Sequence, residues 1–173
     1  MLTYRQGSSS DIDKIVTLVD SAYRGDSSRA GWTTEADFID GQRTDRQEII
    51  EILERSDSAI LLCEADGQLV ATVQLNKSGD SAYLGMFAVD PQRQAMGLGL
   101  KLLNQAENFV QTEWSSKCMR MLVISIREEL ISWYQRHGYQ KVGKTKPFPY
   151  GEERFGLPKR DDLVLEILKK NFI

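Results

Sequence analysis

The chain has 173 residues, 41% of them hydrophobic and 27% charged. That is the length of one ordinary domain and the composition of a chain that folds, so one domain over residues 1–173 is expected and a disordered chain is excluded. Twenty-two Lys and Arg stand against 25 Asp and Glu, a formal net charge of −3, so the positive field that drives phosphate-backbone binding is missing and a nucleic-acid partner is excluded.

No apolar run approaches the ~18 residues that span a bilayer. The start MLTYRQGSSS has neither a basic nor an apolar leader segment. A cytoplasmic protein without a membrane partner is expected. Cys63 and Cys118 stand far apart and the one histidine is His137, too few ligands for a Cys/His metal site. No metal is expected, and both thiols are expected to be buried and reduced.

In chain order, LTYRQ alternates like a short strand. Ser8 to Asp11 then offers capping groups to a helix carried by Ile12, Ile15, Val16, Val19, Ala22 and Tyr23 at the helical period. Residues 24–44 lose periodicity, apart from a turn near Glu35 to Ile39, and read as a functional loop. Thr44-Asp45 caps a second helix ending near Ser56. Ser58 to Glu64 and Gln68 to Leu75 flank Asp66-Gly67, a hairpin signal, and Ala82 to Val89 is a buried strand closed by Pro91.

A long helix runs from Gly97 to about Trp114. Met119 to Ile126 is a strand, Glu128 to His137 a helix stopped by Gly138, and Tyr139 to Lys146 and Leu163 to Lys169 are the last strands. The order β-α-α-β-β-β-α-β-α-β-β predicts a mixed α/β (α+β) sheet with helices on both faces.

Between the strand ending at Val89 and the long helix stands Gln94-Ala95-Met96-Gly97-Leu98-Gly99. Glycines opening a helix let an anion approach free N–H groups and the positive end of the helix dipole. The spacing is also compatible with a tight turn. A dinucleotide fingerprint needs a third glycine where Leu102 stands, and no P-loop string occurs.

Gln94-x-x-Gly97-x-Gly99 after Val89-Asp90-Pro91, followed by Tyr134-Gln135-Arg136-His137-Gly138-Tyr139, resembles the two motifs of the GNAT superfamily of acetyl-CoA-dependent N-acetyltransferases. The element order agrees over nearly the whole chain. The resemblance implies that the strands Ala82 to Val89 and Met119 to Ile126 splay at their C-terminal ends to receive pantetheine. Phe87, Ala88 and Val89 would then serve as backbone contacts, Phe87 N–H as donor to the acetyl oxygen, and Gln94, Ala95, Met96, Gly97, Leu98, Gly99 and Leu100 as the pyrophosphate cradle, with Arg93 adding charge. Tyr134 matches the tyrosine that protonates the departing thiolate, a task suited to a phenol of pKa ~10.

Two positions depart from the family pattern. Arg127 stands where many members have Asn, and is expected to contact CoA or an anionic acceptor. Tyr83 stands where some members have a general-base Glu. The base is therefore unassigned between Glu35, Asp37 and a water relay, and His137 is expected to be a solvated side chain at a helix C-terminus.

The acceptor is expected between the loop after the first helix and the connection Lys146 to Arg160. Glu35, Tyr83 and Trp32 are its expected contacts, Trp32 being either an acceptor wall or a plug over the core. Residues 141–160 hold six basic and two acidic side chains, a local excess that reads either as a solvated basic loop or as an attraction for an acceptor carboxylate or phosphate. The implied activity is transfer of acetyl from acetyl-CoA to a primary amine, on a small molecule or peptide, by direct attack in a ternary complex. An acyl-CoA-binding regulatory module with weak or no catalysis is the alternative, and a homodimer is left open.

Overall fold

The computed structural model describes residues 1–173. Strand β1 (Leu2–Gln6) leads to helix α1 (Ile12–Tyr23), whose Ile12, Ile15, Leu18, Val19 and Ala22 form one buried stripe. The turn before it closes on Asp11, which accepts from the Ser8 N–H at 2.9 Å and from both Arg5 terminal nitrogens at 2.8 Å. After the two-residue strand β2 (Ile39–Asp40) comes α2 (Arg46–Glu54), capped by the Asp45 carboxylate on the Glu48 N–H at 2.8 Å.

Strands β3 (Ser58–Ala65) and β4 (Gln68–Ser78) form the expected hairpin. Asp66 and Gly67 both take positive φ at its turn, which the right-handed twist of two-residue hairpins requires. Next come β5 (Ser81–Val89), α3 (Leu98–Trp114), β6 (Cys118–Ile124), α4 (Glu128–Arg136), β7 (Gln140–Pro147), β8 (Leu157–Pro158) and β9 (Val164–Asn171). No helix is long and apolar enough to cross a membrane.

The main sheet runs β1-β3-β4-β5-β6-β9-β7. Its neighbours are antiparallel except β5 and β6. The expected order is present, with one addition. β2 and β8 pair as a separate ribbon, Ile39 with Pro158 and Asp40 with Leu157. Two-residue strands carry no periodicity, so only the tertiary contact reveals them.

Two cores flank the sheet. One gathers Leu98, Leu102, Leu103, Ala106 and Val110 of α3 with Ile131 and Tyr134 of α4, and the other packs α1 and α2 on Ile60 and Leu62. β5 serves both. Ala82 and Leu84 lie in the first core, Met86 and Ala88 in the second, although a regular strand would put all four on one face. The switch is a β-bulge: Met86 has φ 42°, and the step from Gln74 to Thr72 on β4 is matched by the longer step from Gly85 to Ala88 on β5.

β5 pairs with β6 only from Ser81–Cys118 to Tyr83–Arg120. From Leu84 onward the two strands part, as expected from the resemblance.

One charged group sits at the edge of the first core. Glu107 accepts from the buried Tyr139 hydroxyl at 2.9 Å, and Lys170 Nζ meets its two oxygens at 3.0 and 2.9 Å. Glu107→Ala removes the only acceptor of a buried hydroxyl, and is expected to destabilise the fold by about 2–3 kcal/mol in denaturant titration, with Glu107→Gln intermediate. Asp11 gives a pH-dependent counterpart. The Arg5 guanidinium, opposed by burial and helped by Ser8, holds its carboxyl well below the ordinary 3.8. A depressed folded-state pKa stabilises above the unfolded value and is lost on acidification. The stability gap between wild type and Asp11→Asn, followed by thermal unfolding, is therefore expected to be full above about pH 5 and to narrow progressively as the pH falls below about 4.

Candidate active site

Asp90 follows β5 and accepts from the Gln92 N–H at 3.0 Å, starting a 3-10 turn over Pro91–Arg93. Ala95 (φ 65°) and Gly97 (φ 80°) then take left-handed backbone before α3 begins. Every N–H from Gln94 to Leu100 lacks an acceptor within the protein. Seven successive donors at the start of a 17-residue helix, interleaved with left-handed residues, have the chemistry of a polyanion cradle, and a pyrophosphate fits that donor set.

The expected cradle residues divide by role. Met96 is 67% exposed at the loop tip, while Leu98 is buried in the first core and has only its N–H for this purpose. Arg93 is half-exposed and leans on Asp90 at 3.6 Å. Gln94 is committed elsewhere. Its Oε1 accepts from the N–H groups of Trp32 and Thr33 at 2.8 and 3.3 Å, and its Nε2 donates to Thr33 Oγ1 at 2.7 Å and Val89 O at 3.1 Å. This side chain pins the 24–44 segment to the cradle. A Cβ on Gly31 would stand 2.3 Å from its Oε1, so glycine is what permits the contact. Ala88 pairs with Thr72 of β4 and points into the second core, which removes it from the gap between β5 and β6.

Two cavities of about 300 and 310 Å³ meet at that gap. The first runs from Gly97, Gly99 and Leu100 past Val89 to an aromatic wall of Trp32, Trp133 and His137. The second lies above β5 and β6 against Tyr83, Arg43, Glu48, Phe148 and Phe155. They share Tyr23, Phe87, Arg127, Leu130 and Tyr134.

Tyr134 is 4% exposed overall, yet its hydroxyl has no protein partner and opens on the cavities. Burial pushes its phenol far above the ordinary 10. Tyr23 stands opposite, donating to the Phe87 carbonyl at 2.8 Å. Sequence reasoning absorbed Tyr23 into the apolar stripe of α1; its one signal was a hydroxyl at the C-terminal end of that stripe.

Several expectations change. Glu35 is buried with Oε1 on Arg24 at 2.5 Å and Oε2 on Arg127 at 2.8 Å, so both oxygens are engaged and it is not a free base. Asp37 pairs with Arg29 at the surface, away from both cavities. Arg127 also donates to Thr33 O at 2.5 Å, so its guanidinium braces the loop while its side chain forms part of the wall between the cavities.

Trp32 lines the cradle-side cavity, 6.4 Å from Trp133, and has no part in the other one. His137 is not simply solvated. Its ring lies 4.6 Å from Trp133 on the same wall, and partial burial, with Arg136 and Lys170 nearby, holds it below the ordinary 6.5. Tyr83 lines the second cavity.

The late connection is not a free basic patch. Lys141 meets Glu166, Arg154 meets Asp45, Lys159 meets Asp40 and Arg160 meets Asp162. The ribbon of β2 and β8, with Arg24 donating to Phe155 O at 3.0 Å, ties this connection over the second cavity. Arg43 and Glu48, named by no motif, line the chamber beneath it. Burial raises the Glu48 carboxyl; Thr44 donates to its Oε1 at 2.9 Å, and its Oε2 takes no hydrogen bond.

Comparison with known proteins agrees with this architecture. A ribosomal-protein-S18-alanine N-acetyltransferase from Escherichia coli superposes with a TM-score of 0.72 at 14% identity, over 99% of this chain and 94% of that one. A ribosomal-protein-alanine N-acetyltransferase from Brucella melitensis gives 0.73 at 17%, over 98% and 99%. A Bacillus anthracis protein solved in complex with acetyl coenzyme A gives 0.59 at 18%, over 72% and 68%. A search of curated protein sequences finds no match. The profile of the Acetyltransferase (GNAT) family matches residues 18–139, more than half of the chain. With its parted central strands and its cradle of free N–H groups, the chain belongs to the GNAT acetyltransferase family.

Proposed function

We propose that this protein transfers acetyl from acetyl-CoA to a primary amine by direct attack within a ternary complex. The observation that carries the proposal is the wall shared by the two cavities, where Phe87 and Tyr134 stand with their ring centroids 6.4 Å apart. Bound acetyl-CoA supplies the thioester whose acyl carbon is attacked.

The chain's own groups have separable tasks. The N–H groups from Gln94 to Leu100 hold the pyrophosphate, and Val89 with Gly99 borders the pantetheine path. The Phe87 N–H faces the acyl oxygen, in the position where one well-placed donor stabilises developing negative charge. Tyr134 gives its proton to the departing sulfur. The new C–N bond forms as the C–S bond breaks, and the proton shed by the attacking nitrogen, passed on through water, reloads the phenol, which burial keeps neutral across the physiological range. Neither cysteine lines the shared wall, which fits direct attack rather than an acyl-enzyme.

Thiol release from acetyl-CoA in the presence of a panel of primary amines tests the activity. Tyr134→Phe is expected to lower kcat by roughly 10²-fold or more with little change in acetyl-CoA affinity. Full activity in that variant refutes the acid role, and acetyl-CoA binding without turnover in wild type favours a CoA-binding module. Because the phenol pKa is raised, kcat is expected to show no falling limb from Tyr134 up to about pH 10.

Gln94→Ala removes three hydrogen bonds between the 24–44 segment and the cradle, and a fourth to the Val89 carbonyl. Acetyl-CoA binding, read by calorimetry and by the emission of Trp32 and Trp133, is expected to weaken about tenfold or more. Unchanged binding would separate that segment from cofactor capture.

A further inference from the structure

We infer that the acceptor is an amino acid-type molecule, with a free carboxylate beside its amine and an apolar side chain, and that Arg43 takes the carboxylate. This rests on the acetyl transfer proposed above and concerns its acceptor alone. Three guanidiniums line the acceptor cavity. Two are occupied within the protein, Arg24 by Glu35 and Phe155 O and Arg127 by Glu35 and Thr33 O.

Arg43 differs from both. Its guanidinium makes no hydrogen bond, the Glu48 carboxylate being 3.8 Å away, beyond hydrogen-bonding distance. It is nevertheless held in place. The N–H groups of Arg43 and Thr44 both donate to Asp20 Oδ1, at 2.7 and 3.1 Å, and the guanidinium lies over the Tyr23 ring at 5.6 Å. A fork that carries no hydrogen bond, on a backbone anchored by Asp20 and paired only loosely with Glu48 at the edge of a cavity, is an arrangement that recognises a carboxylate. The Tyr83 hydroxyl, also without a partner, lines the same cavity and adds a neutral donor.

Charge and shape narrow the class. Arg24, Arg43 and Arg127 against Glu35 and Glu48 leave one positive charge in excess, and the remaining carboxylate, Glu152, is exposed at the rim. One carboxylate balances that excess, whereas a dianionic phosphate would leave a charge uncompensated in partly desolvated surroundings. Ile39, Ile124, Phe148 and Phe155 supply an apolar wall. A chamber of about 310 Å³, bordered by Ile39 of β2 and by Phe155 and Gly156 just before β8, has the size that suits a small molecule.

The test compares leucine, methionine, phenylalanine and tryptophan with their carboxamides as acceptors, after calorimetry has established acetyl-CoA binding to the purified protein. Acids are expected to exceed their amides at least tenfold in kcat/KM. Arg43→Gln is expected to bring that ratio close to one, and Arg43→Lys to restore part of the preference for acids; acetyl-CoA binding and thermal unfolding report that each variant is folded. Amides acetylated as well as acids, an unchanged ratio in Arg43→Gln, better turnover of aminoalkyl phosphonates, or acetyl-CoA binding without turnover of any acid would each overturn the inference. Failure to bind acetyl-CoA at all would instead overturn the transfer reaction on which it rests.

Discussion

The β-bulge at Met86 and Phe87 is the constraint on which the site depends. One extra residue on β5 changes the face that the strand presents, so that Leu84 belongs to the core under α3 and α4 and Met86 to the core under α1 and α2. The same distortion accompanies the parting of β5 from β6 after Tyr83. Backbone at a parted edge is costly to leave without partners, and a chain that keeps such an edge inside its sheet keeps it for something that can pair there. Tyr23 secures the distortion from the other side by its bond to the Phe87 carbonyl.

Around this gap the molecule separates two tasks by using two kinds of chemistry. On the cradle side, the donors are backbone N–H groups and the walls are aromatic, which suits a long cofactor held along its length. In the second cavity, the charges are side chains, and most are already balanced against one another. The Arg24–Glu35–Arg127 cluster joins the end of α1, the 24–44 segment and the turn before α4. A buried charge cluster of this sort contributes little net stability against apolar packing, but removing one partner strands the others. Its consequence is geometric: it holds the loop and the β6–α4 turn in one arrangement at the shared wall.

Much of the fold was legible in the chain. The stripes of α1 and α3, the Asp66-Gly67 hairpin and the Pro91 stop depend on local periodicity and on turn chemistry, which neighbouring residues decide among themselves. The cradle was legible for the same reason, because Gly97 and the helix behind it are consecutive. Tyr134 was legible only through the motif around it; by periodicity it was one more apolar position on α4. Glu35 lines the second cavity, yet its engagement as an ion-pair partner was not legible, because its two arginines lie 11 and 92 positions away in the sequence and nothing local announces them. The local basic excess near the C-terminus misled for a similar reason, since Asp40 and Asp45, which balance part of it, come from the other loop.

The sequence by itself determined the order of elements, the family and the position of the anion cradle, because each is written in contiguous residues whose spacing carries the physics. Only the tertiary structure decided which charges remain available. It paired Arg24 and Arg127 with Glu35, turned Trp32 toward the cradle, tied the two loops together through β2 and β8, and left Arg43 as the guanidinium in the chamber without a hydrogen bond. Electrostatic partnership depends on distance in space, which separation along the chain does not encode.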